Sequence, residues 1–333
     1  MMVSHPVSEL RTENQAAVGV ILAAGMGKRM KTSLPKVAHE ILGKPMVLWA
    51  VEAFCDAGIT DVVVVTAPAQ QNVRDILERA ALKPGCKVTI AIQPEALGTA
   101  NAVSAAIPSI KSIISSKNLP LNTDIIVGFG DTPAVSFESF FSYLNFHRMS
   151  ENKVTILGFK APNPTGYGRI LTNKAGDFEA IREQKDCSAE ELNIDLCNSG
   201  FLCVKANLAL ELLPKVVKNN SAGEYYLTDL PFLAKKDGHK VGIYNKIAAA
   251  ELEGVNSQEQ LATMAKFIQA RITGAAMAEG VQFLDPLTAY IEPTVSFESD
   301  VIVEPFVYLA GHSHFKKGTR IASFSKYIDG TMQ

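Results

Sequence analysis

The stretch GVILAAGMGKRMKTSLPK, residues 19–36, joins an apolar run to a loop that is rich in glycine and positive charge. Residues 20–22 (VIL) are typical of a parallel strand that is covered on both faces. The glycines and cations of the loop are Gly25, Gly27, Lys28, Arg29, Lys31 and Lys36. A glycine turn and a cationic loop at the carboxyl edge of a parallel sheet form a natural binding site for an anion.

Gly25 and Gly27 would let backbone N–H groups approach phosphate oxygens, because no Cβ atom stands in the way. Arg29 and Lys36 would then neutralise the negative charge. The loop is not a Walker A motif, and Met30 stands where a dinucleotide fingerprint has its third glycine. Taken alone, the stretch is equally typical of a glycine-rich turn with solvated lysines.

Composition sets broad limits on the class of protein. A chain of 333 residues is long enough for one large domain or two unequal ones. Its net charge of −2 argues against an extended nucleic-acid or membrane-surface footprint. The apolar run 18–24 is too short for a membrane span, and residues 1–16 are expected to form a flexible tail. The five cysteines show no paired spacing, which predicts reduced thiols in a cytoplasmic protein.

Short apolar runs alternate with helix-period segments over the first 250 residues. The expected strands are Asp61–Thr66, Lys87–Ile92, Asp124–Phe129 and Lys153–Phe159. Met46–Ala57 is expected to be a helix that stops at Gly58. This alternation predicts an α/β fold with parallel strands. The less regular strands near Phe178–Arg182 and Gly200–Val204 favour a mixed sheet.

The end of the chain has a six-residue period. Its two series are Phe283, Ala289, Val295, Val301 and Val307, and Phe297, Val303 and Leu309. This period is typical of a hexapeptide-repeat β-helix, although an extended β-meander remains an alternative. The segment Ser257–Gly274 is expected to be a connecting helix, and about two coils fit before Gln333.

Seven further motifs follow the opening loop in a fixed order. They are residues 93–100 (QPEALGTA), 130–133 (GDTP), 165–170 (TGYGRI), 183–186 (EQKD), 198–200 (NSG), 223–229 (GEYYLTD) and 253–256 (EGVN). The loop itself resembles the signature of sugar-1-phosphate nucleotidyltransferases. Together the eight motifs resemble the uridyltransferase domain of the bifunctional N-acetylglucosamine-1-phosphate uridyltransferase/glucosamine-1-phosphate acetyltransferase family. The likeness runs from about residue 18 to the end.

The resemblance implies a fold and a domain order. It implies a Rossmann-like nucleotidyltransferase domain over residues 17–254 with a mixed, mostly parallel sheet. A linker helix over residues 255–280 and the first coils of a left-handed β-helix over residues 281–333 would follow. In the family, acetyl transfer and trimer formation belong to later coils, so acetyltransferase activity is not expected from this chain.

The implied reaction is uridyl transfer from UTP to N-acetylglucosamine 1-phosphate, with Mg²⁺ as cofactor. Its product, UDP-N-acetylglucosamine, feeds peptidoglycan and lipopolysaccharide precursor synthesis. Neither a nucleic acid nor a membrane is an expected partner.

The resemblance also assigns roles to residues of this sequence. The uracil and ribose fall to Leu22, Ala23, Ala24, Gly25, Gln93, Gly98 and Thr99. The sugar falls to Gly168, Glu183 and Asn198. Asp131 and Asn256 are the implied metal ligands, with Gly130 beside the substrate. Arg29 and Lys36 are the implied catalytic cations, and Lys36 also binds substrate.

Two positions depart from the family pattern. Lys28 stands where the family usually has Thr or Ser, and Phe129 where it often has Tyr.

Three other functions are alternatives to uridyl transfer to N-acetylglucosamine 1-phosphate. The first alternative is a nucleotidyltransferase for another base or sugar phosphate. The second is a regulatory nucleotide-sugar-binding protein without turnover, which would be expected to lose Arg29, Lys36 or Asp131. The third, a dinucleotide-dependent oxidoreductase, is opposed by the missing third glycine.

Overall fold

The computed structural model describes residues 16–333, so residues 1–15 of the predicted tail lie outside the described residues. The chain forms two compact units. Among the described residues, the first unit comprises 16–25, Val51–Phe129 and Val135–Ala249. The second comprises Met26–Ala50, Gly130–Ala134 and Ala250–Gln333. The predicted domain boundaries at residues 16, 254 and 280 stay predictions.

The strands, in chain order, are β1 (Ala17–Leu22), β2 (Glu40–Ile41), β3 (Lys44–Pro45), β4 (Asp61–Thr66), β5 (Lys87–Ile92), β6 (Asp124–Phe129), β7 (Val154–Lys160), β8 (Gly168–Thr172), β9 (Phe178–Arg182), β10 (Leu196–Lys205), β11 (Val241–Tyr244), β12 (Gln282–Phe283), β13 (Tyr290–Ile291), β14 (Ser296–Phe297), β15 (Ile302–Val303), β16 (Tyr308–Ala310), β17 (His314–Phe315), β18 (Arg320–Ile321), β19 (Lys326–Ile328) and β20 (Thr331–Met332). The helices are α1 (Met46–Asp56), α2 (Gln71–Arg79), α3 (Thr99–Ser116), α4 (Phe137–Met149), α5 (Ala206–Leu212), α6 (Asp229–Lys236), α7 (Ala249–Leu252) and α8 (Gln258–Ala278).

The first unit is built on a mixed sheet with the strand order β11-β7-β10-β6-β1-β4-β5, and β8 and β9 extend it from β10. The run β6-β1-β4-β5 is parallel, whereas β10 is antiparallel to β6, β7 and β8. Every residue of β1 and β4 is buried, which explains why β1 and the four central valines of β4 are apolar. The predicted α/β fold with a mixed sheet is confirmed.

The strand order reverses at β1. The chain passes from β1 to β4 and β5 on one side and then returns to β6 on the other side of β1. In open α/β sheets, ligands bind outside the carboxyl ends of the strands at such a reversal. Residues 22–25 follow the carboxyl end of β1, so the glycine turn singled out in the sequence lies at this point.

Asp124, at the start of β6, is the centre of a buried ion network in the first unit. Its carboxylate accepts hydrogen bonds from Arg148 at 2.8 Å and Lys205 at 2.5 Å, and it lies 3.2 Å from His147 Nε2. Burial is the largest effect on the pKa of Asp124 and opposes ionisation. Contacts with His147, Lys205 and Arg148 together outweigh it and hold the pKa well below its usual value.

Cys55 and Cys86 form a disulfide, with their Cα atoms 5.8 Å apart. The prediction that all five cysteines are reduced is therefore wrong for this pair. The spacing gave no signal, because packing brings the end of α1 beside the residue before β5. Cys187, Cys197 and Cys203 carry free thiols.

The C-terminal strands of the second unit form three parallel stacks, β12-β15-β18, β13-β16-β19 and β14-β17. Paired residues such as Tyr290 and Tyr308 are 18 positions apart, which is three six-residue repeats per coil. The two predicted apolar series line the inside, where Val301, Val303 and Leu309 are fully buried. These parallel stacks confirm the start of a β-helix and exclude the antiparallel β-meander.

A third six-residue series on the β-helix, made of glutamates, escaped the sequence analysis. Glu292, Glu298 and Glu304 each accept a hydrogen bond, at 2.8–2.9 Å, from the backbone N–H 19 residues further on. Each carboxylate thus ties a turn of one coil to the next. Backbone hydrogen bonds lower the pKa of Glu298 and of Glu304.

Among the described residues, no helix combines the length and the apolar character needed to cross a membrane.

We expect Asp124→Asn to lower the free energy of unfolding at pH 7 by about 3 kcal/mol, because it removes the buried carboxylate that compensates the partly buried ammonium of Lys205. The depressed pKa means that this stability is present above the unfolded-state value of 3.8 and is lost as the pH falls below it. The difference between the variant and the wild type should therefore shrink at pH 3. Urea unfolding at both pH values measures it.

Asp237→Asn is the matched control, because Asp237 pairs with Lys215 at the surface and should contribute little. If Asp124→Asn is as stable as the wild type at pH 7, the network does not stabilise the fold.

Candidate active site

The turn after β1 is fixed by a buried glutamine that the sequence analysis missed. The N–H of Ala23 donates to the carbonyl oxygen of Val65, which extends the pairing of β1 with β4. Gln70 is 1% exposed; its Nε2 donates to the carbonyl oxygen of Gly25 at 3.3 Å, and its Oε1 accepts from Ala67. A side chain at Gly25 would meet no atom within 4 Å. Backbone and side-chain hydrogen bonds thus hold the turn, while the space next to Gly25 is open.

Gln93 follows β5 and is 5% exposed. Its Nε2 donates to the carbonyl oxygen of Gly98 at 3.2 Å and to Oδ1 of Asn101 at 2.8 Å. The carbonyl of Gly98 can only accept, so it fixes the orientation of the Gln93 amide. Both amide hydrogens are therefore used inside the protein, and Oε1 receives no hydrogen bond from the described residues. The only free capacity of this amide is as an acceptor.

The loop before α3 is held by the motif 223–229, to which the sequence analysis assigned no chemistry. A Cβ atom at Gly98 would lie 2.5 Å from the carbonyl oxygen of Tyr225, and the φ of Gly98 is +116°, so only glycine fits here. Tyr225 exchanges backbone hydrogen bonds with Leu97 and Ala100. The hydroxyl of Thr99 accepts from the N–H of Leu227 at 2.9 Å. The motif 223–229 therefore positions Gly98 and Thr99.

The three residues predicted to contact the sugar lie together. Gly168 on β8 pairs with Asn198 on β10. A Cβ atom at Gly168 would lie 3.4 Å from the carboxyl group of Glu183. Asn198 is buried, and its Oδ1 accepts from the N–H of Gly200 at 3.1 Å. The register of β10 shifts between Asn198 and Leu202, and such bulges are common beside active sites.

Phe129, one of the two departures from the family pattern, packs directly on this bulge. Gly200 has a φ of +88°, and a Cβ atom there would lie 2.5 Å from the ring of Phe129. The same ring makes an edge-to-face contact with Phe201, with centroids 5.7 Å apart. Phe129 therefore forms an apolar wall against Gly200, two residues after Asn198, where a tyrosine would offer a hydroxyl.

Glu183 lies in an environment that opposes its ionisation. Burial is the main cause of its raised pKa; a hydrogen bond from Thr228, at 3.4 Å, works in the other direction, and Asp186, Asp229 and Glu224 add to the rise. Burial also raises the pKa of Asp229. An ionisable carboxyl group with a pKa raised by burial and like charges is a common feature of binding sites.

Within the second unit, the cationic loop is shaped by Gly27 and Met30. Gly27 has a φ of +61°, and a Cβ atom there would lie 2.5 Å from Cβ of Lys36. Gly27 thus makes room for Lys36 within the loop. Met30 is buried and anchors a short 3₁₀ turn, while Lys28 and Arg29 on the same turn are exposed.

Lys36, Asp131 and Asn256 come together in the second unit. The ammonium group of Lys36 donates to Oδ2 of Asp131 and, at 2.9 Å, to Oδ1 of Asn256. The side chains of Lys36 and Asp131 are 12% and 18% exposed. These three residues were predicted from separate motifs, and the structure brings all three into contact.

Backbone and side-chain contacts hold the two oxygen-bearing residues. The carbonyl oxygen of Asp131 accepts from the N–H of Val255 at 2.8 Å. The N–H of Asn256 donates to Oε1 of Gln260, and its Nδ2 donates to the carbonyl oxygen of Gly254 at 3.2 Å. The second bond turns Oδ1 of Asn256 toward Lys36. Gln260, in the first turn of α8, is a supporting residue that the sequence analysis did not identify.

The donor set fits a magnesium ion. One carboxylate oxygen and one amide oxygen converge on a single cation, the ammonium of Lys36. Mg²⁺ prefers such hard oxygen ligands and is commonly held by one or two protein groups together with substrate phosphates and water. Asp131 and Asn256 are therefore suited to hold it.

Among the described residues, one cluster brings at least three His, Cys, Asp or Glu ligands together, Asp124 with His147 and Cys203. It fits a metal poorly, because Arg148 and Lys205 already donate to the carboxylate of Asp124. This cluster is better described as the buried ion network of the sheet.

We expect Glu183→Gln to raise the thermal midpoint at pH 7.5 and to leave it unchanged at pH 4. Because the pKa of Glu183 is raised in the folded state, ionisation above the ordinary value of 4.5 works against folding, and glutamine removes that cost. Glu190→Gln is the control, since that exposed carboxyl group has a lowered pKa and should give no gain. A Glu183 variant that is no more stable than the wild type at pH 7.5 would contradict this account.

Comparison with known proteins agrees with the geometry. A family model described as "Nucleotidyl transferase" matches residues 18–241. The chain is 37% identical over 310 residues to the "Bifunctional protein GlmU" of Lactobacillus johnsonii, covering 93% of this chain and 64% of that protein. It is 35% identical to the protein of that name from Caldanaerobacter subterraneus, covering 95% and 65%, and 36% identical to that from Rhodopseudomonas palustris, covering 92% and 64%. The chain thus spans just under two thirds of these relatives. It belongs to the nucleotidyl transferase family and is a nucleotidyltransferase.

Proposed function

We propose that this chain transfers the uridyl group of UTP to N-acetylglucosamine 1-phosphate in a Mg²⁺-dependent reaction. The products are UDP-N-acetylglucosamine and pyrophosphate, and the nucleotide sugar would feed peptidoglycan and lipopolysaccharide precursor synthesis. The observation that carries the proposal is the convergence of Lys36, Asp131 and Asn256 on one cation position. Membership of the nucleotidyl transferase family and the similarity to the "Bifunctional protein GlmU" relatives support the same class of reaction.

Charge neutralisation is the main chemical task in this reaction. A phosphate oxygen of the sugar phosphate attacks the α-phosphorus of UTP, and the bond from that phosphorus to the bridging oxygen breaks as pyrophosphate leaves. Both reactants are anions, so the protein must position them and compensate their charge. Arg29 and Lys36 supply positive charge, and Asp131 and Asn256 hold the metal. When bound, Mg²⁺ neutralises phosphate charge and orients the phosphates.

The orientation of Gln93 supports uracil as the base. Its Oε1 has free acceptor capacity and its Nε2 has none, as described above. Uracil offers an N3–H donor, whereas N3 of cytosine carries no hydrogen and would leave Oε1 unpaired. A buried group left without its partner is costly, which gives a physical basis for preferring UTP over CTP. Leu22, Ala23, Ala24, Gly25, Gly98 and Thr99 are assigned to the rest of the nucleoside.

The hydrogen-bond acceptors around Glu183 support the proposal that the sugar binds there. Its carboxylate and the neighbouring Asn198 side chain offer acceptors for sugar hydroxyls. A side chain at Gly168 would occupy the space beside that carboxylate. A regulatory protein without turnover is less well supported, because Arg29, Lys36 and Asp131 are all present. Trimer formation, which the resemblance implies for full-length members, and a cytoplasmic location stay predictions for this chain.

The test is pyrophosphate release by the purified chain with each of the four nucleoside triphosphates and with several sugar 1-phosphates. We expect turnover with UTP and N-acetylglucosamine 1-phosphate only when Mg²⁺ is present, with CTP at least about 100-fold poorer. Asp131→Ala should lower kcat by at least about 100-fold and is the matched control. Absence of turnover with UTP, or equal rates with CTP, would overturn the proposal.

We expect substitutions of the two adjacent loop cations, Lys28 and Arg29, to affect kcat differently. Arg29→Ala should lower kcat strongly, because a guanidinium can hold phosphate oxygens in pairs and its interaction strengthens as charge develops on the leaving pyrophosphate. Lys28→Thr, which restores the usual family residue, should leave kcat nearly unchanged and at most raise the KM for UTP. Steady-state kinetics at two salt concentrations distinguishes them. Equal damage in both variants would mean that Arg29 has been wrongly assigned.

A further inference from the structure

Lys36 occupies the position that the proposed function gives to the metal. Its ammonium group donates to Oδ2 of Asp131 and to Oδ1 of Asn256, the same two oxygens that are proposed to hold Mg²⁺. All three side chains are at least partly buried, so water screens this contact only in part. One cation is thus already held where a second is expected to bind.

The two cations exclude each other at this position. Mg²⁺ binds oxygen at roughly 2.0–2.1 Å and demands near-ideal octahedral geometry. An ammonium group on the same oxygens would lie within the first or second layer around the ion and repel it. The metal therefore takes these oxygens only after the ammonium has left at least one of them.

We propose that Lys36 is an internal stand-in for the metal: it holds Asp131 and Asn256 in their metal-binding arrangement and moves to the nucleotide phosphates when the metal binds. This inference rests on the proposed function and adds a coupling between metal binding and nucleotide binding. Free metal binds weakly, because it must displace an ammonium that has no other side-chain partner among the described residues. Metal and nucleotide together bind well, because the phosphates receive the displaced ammonium. The two ligands are thus positively coupled.

The surrounding loop suits this exchange. Gly27 packs against the start of the Lys36 side chain, and Pro35 precedes the 3₁₀ turn Lys36–Ala38, so the backbone of Lys36 is fixed while the far end of the side chain can swing. The other cations of the loop, Lys28, Arg29 and Lys31, are exposed, and none contacts Asp131 or Asn256 among the described residues. Of the cations in this loop, Lys36 is therefore the one that competes with the metal for these oxygens.

Titration with Mn²⁺, followed by the electron paramagnetic resonance signal of the free ion, tests the inference on the full chain without substrates. Lys36→Met should bind Mn²⁺ at least about tenfold more tightly than the wild type, because the competing ammonium is gone. Lys28→Met removes the same charge from the same loop and should leave the affinity nearly unchanged. Lys36→Arg keeps the charge and should stay close to the wild type.

Addition of UTP gives the second readout. It should tighten Mn²⁺ binding to the wild type by tenfold or more and have a clearly smaller effect on Lys36→Met. The thermal midpoint gives a third: millimolar Mg²⁺ should stabilise Lys36→Met more than the wild type, because a ligand that binds more tightly stabilises the folded state more. Lys36→Met that binds Mn²⁺ equally or more weakly than the wild type overturns the inference, even if uridyl transfer is confirmed. Tighter binding upholds it, even if the substrates prove to be different.

Discussion

The contact of Lys36 with Asp131 and Asn256 joins residues that are 95 and 220 positions apart in the chain. A carboxylate and an amide oxygen that point at one spot require a cation, because without it a partly buried negative charge would be left uncompensated. Much of the local structure of the second unit serves this requirement. Gly27 lacks a side chain that would clash with Lys36. The N–H of Val255 holds the backbone of Asp131, and the side chain of Gln260 holds the backbone of Asn256.

The first unit answers a different constraint, which is to hold polar groups in a defined orientation at the end of a buried sheet. The strand reversal at β1 brings the turn 22–25 to the carboxyl edge, and Gln70 pins it there. Gln93 is oriented by a carbonyl that can only accept a hydrogen bond. Glu183 is kept in surroundings that oppose its charge. Burial that opposes the ionisation of Glu183 lowers stability at neutral pH, a cost that is common where a site is built for function.

Much of this architecture could be predicted from the sequence, and the failures have physical causes. The strands Asp61–Thr66 and Asp124–Phe129 were predicted to the residue, because a strand covered on both faces is a short apolar run that begins at a polar residue. Lys87–Ile92 was also predicted to the residue, although this strand is only partly buried. The six-residue period predicted the β-helix, because the apolar residues that line its inside recur at a fixed spacing. Gln70 and the Cys55–Cys86 disulfide were missed, because each depends on contacts between distant segments that leave no local pattern. Gln260 was missed although its partner, the N–H of Asn256, is only four residues away, because a glutamine at this spacing is also typical of an ordinary first turn of a helix. The glutamate series on the β-helix was visible as a spacing, but its role depends on backbone N–H groups 19 residues away.

The central claim is that Asp131 and Asn256 hold the metal of a uridyl-transfer site from which Lys36 withdraws. Anomalous diffraction from a crystal of the chain with Mn²⁺ and UDP-N-acetylglucosamine tests it most directly. The account predicts one strong peak roughly 2.1 Å from Oδ2 of Asp131 and Oδ1 of Asn256, with the ammonium of Lys36 moved onto a phosphate oxygen. A metal bound elsewhere, or Lys36 still in contact with both oxygens while the nucleotide sugar is bound, would contradict it.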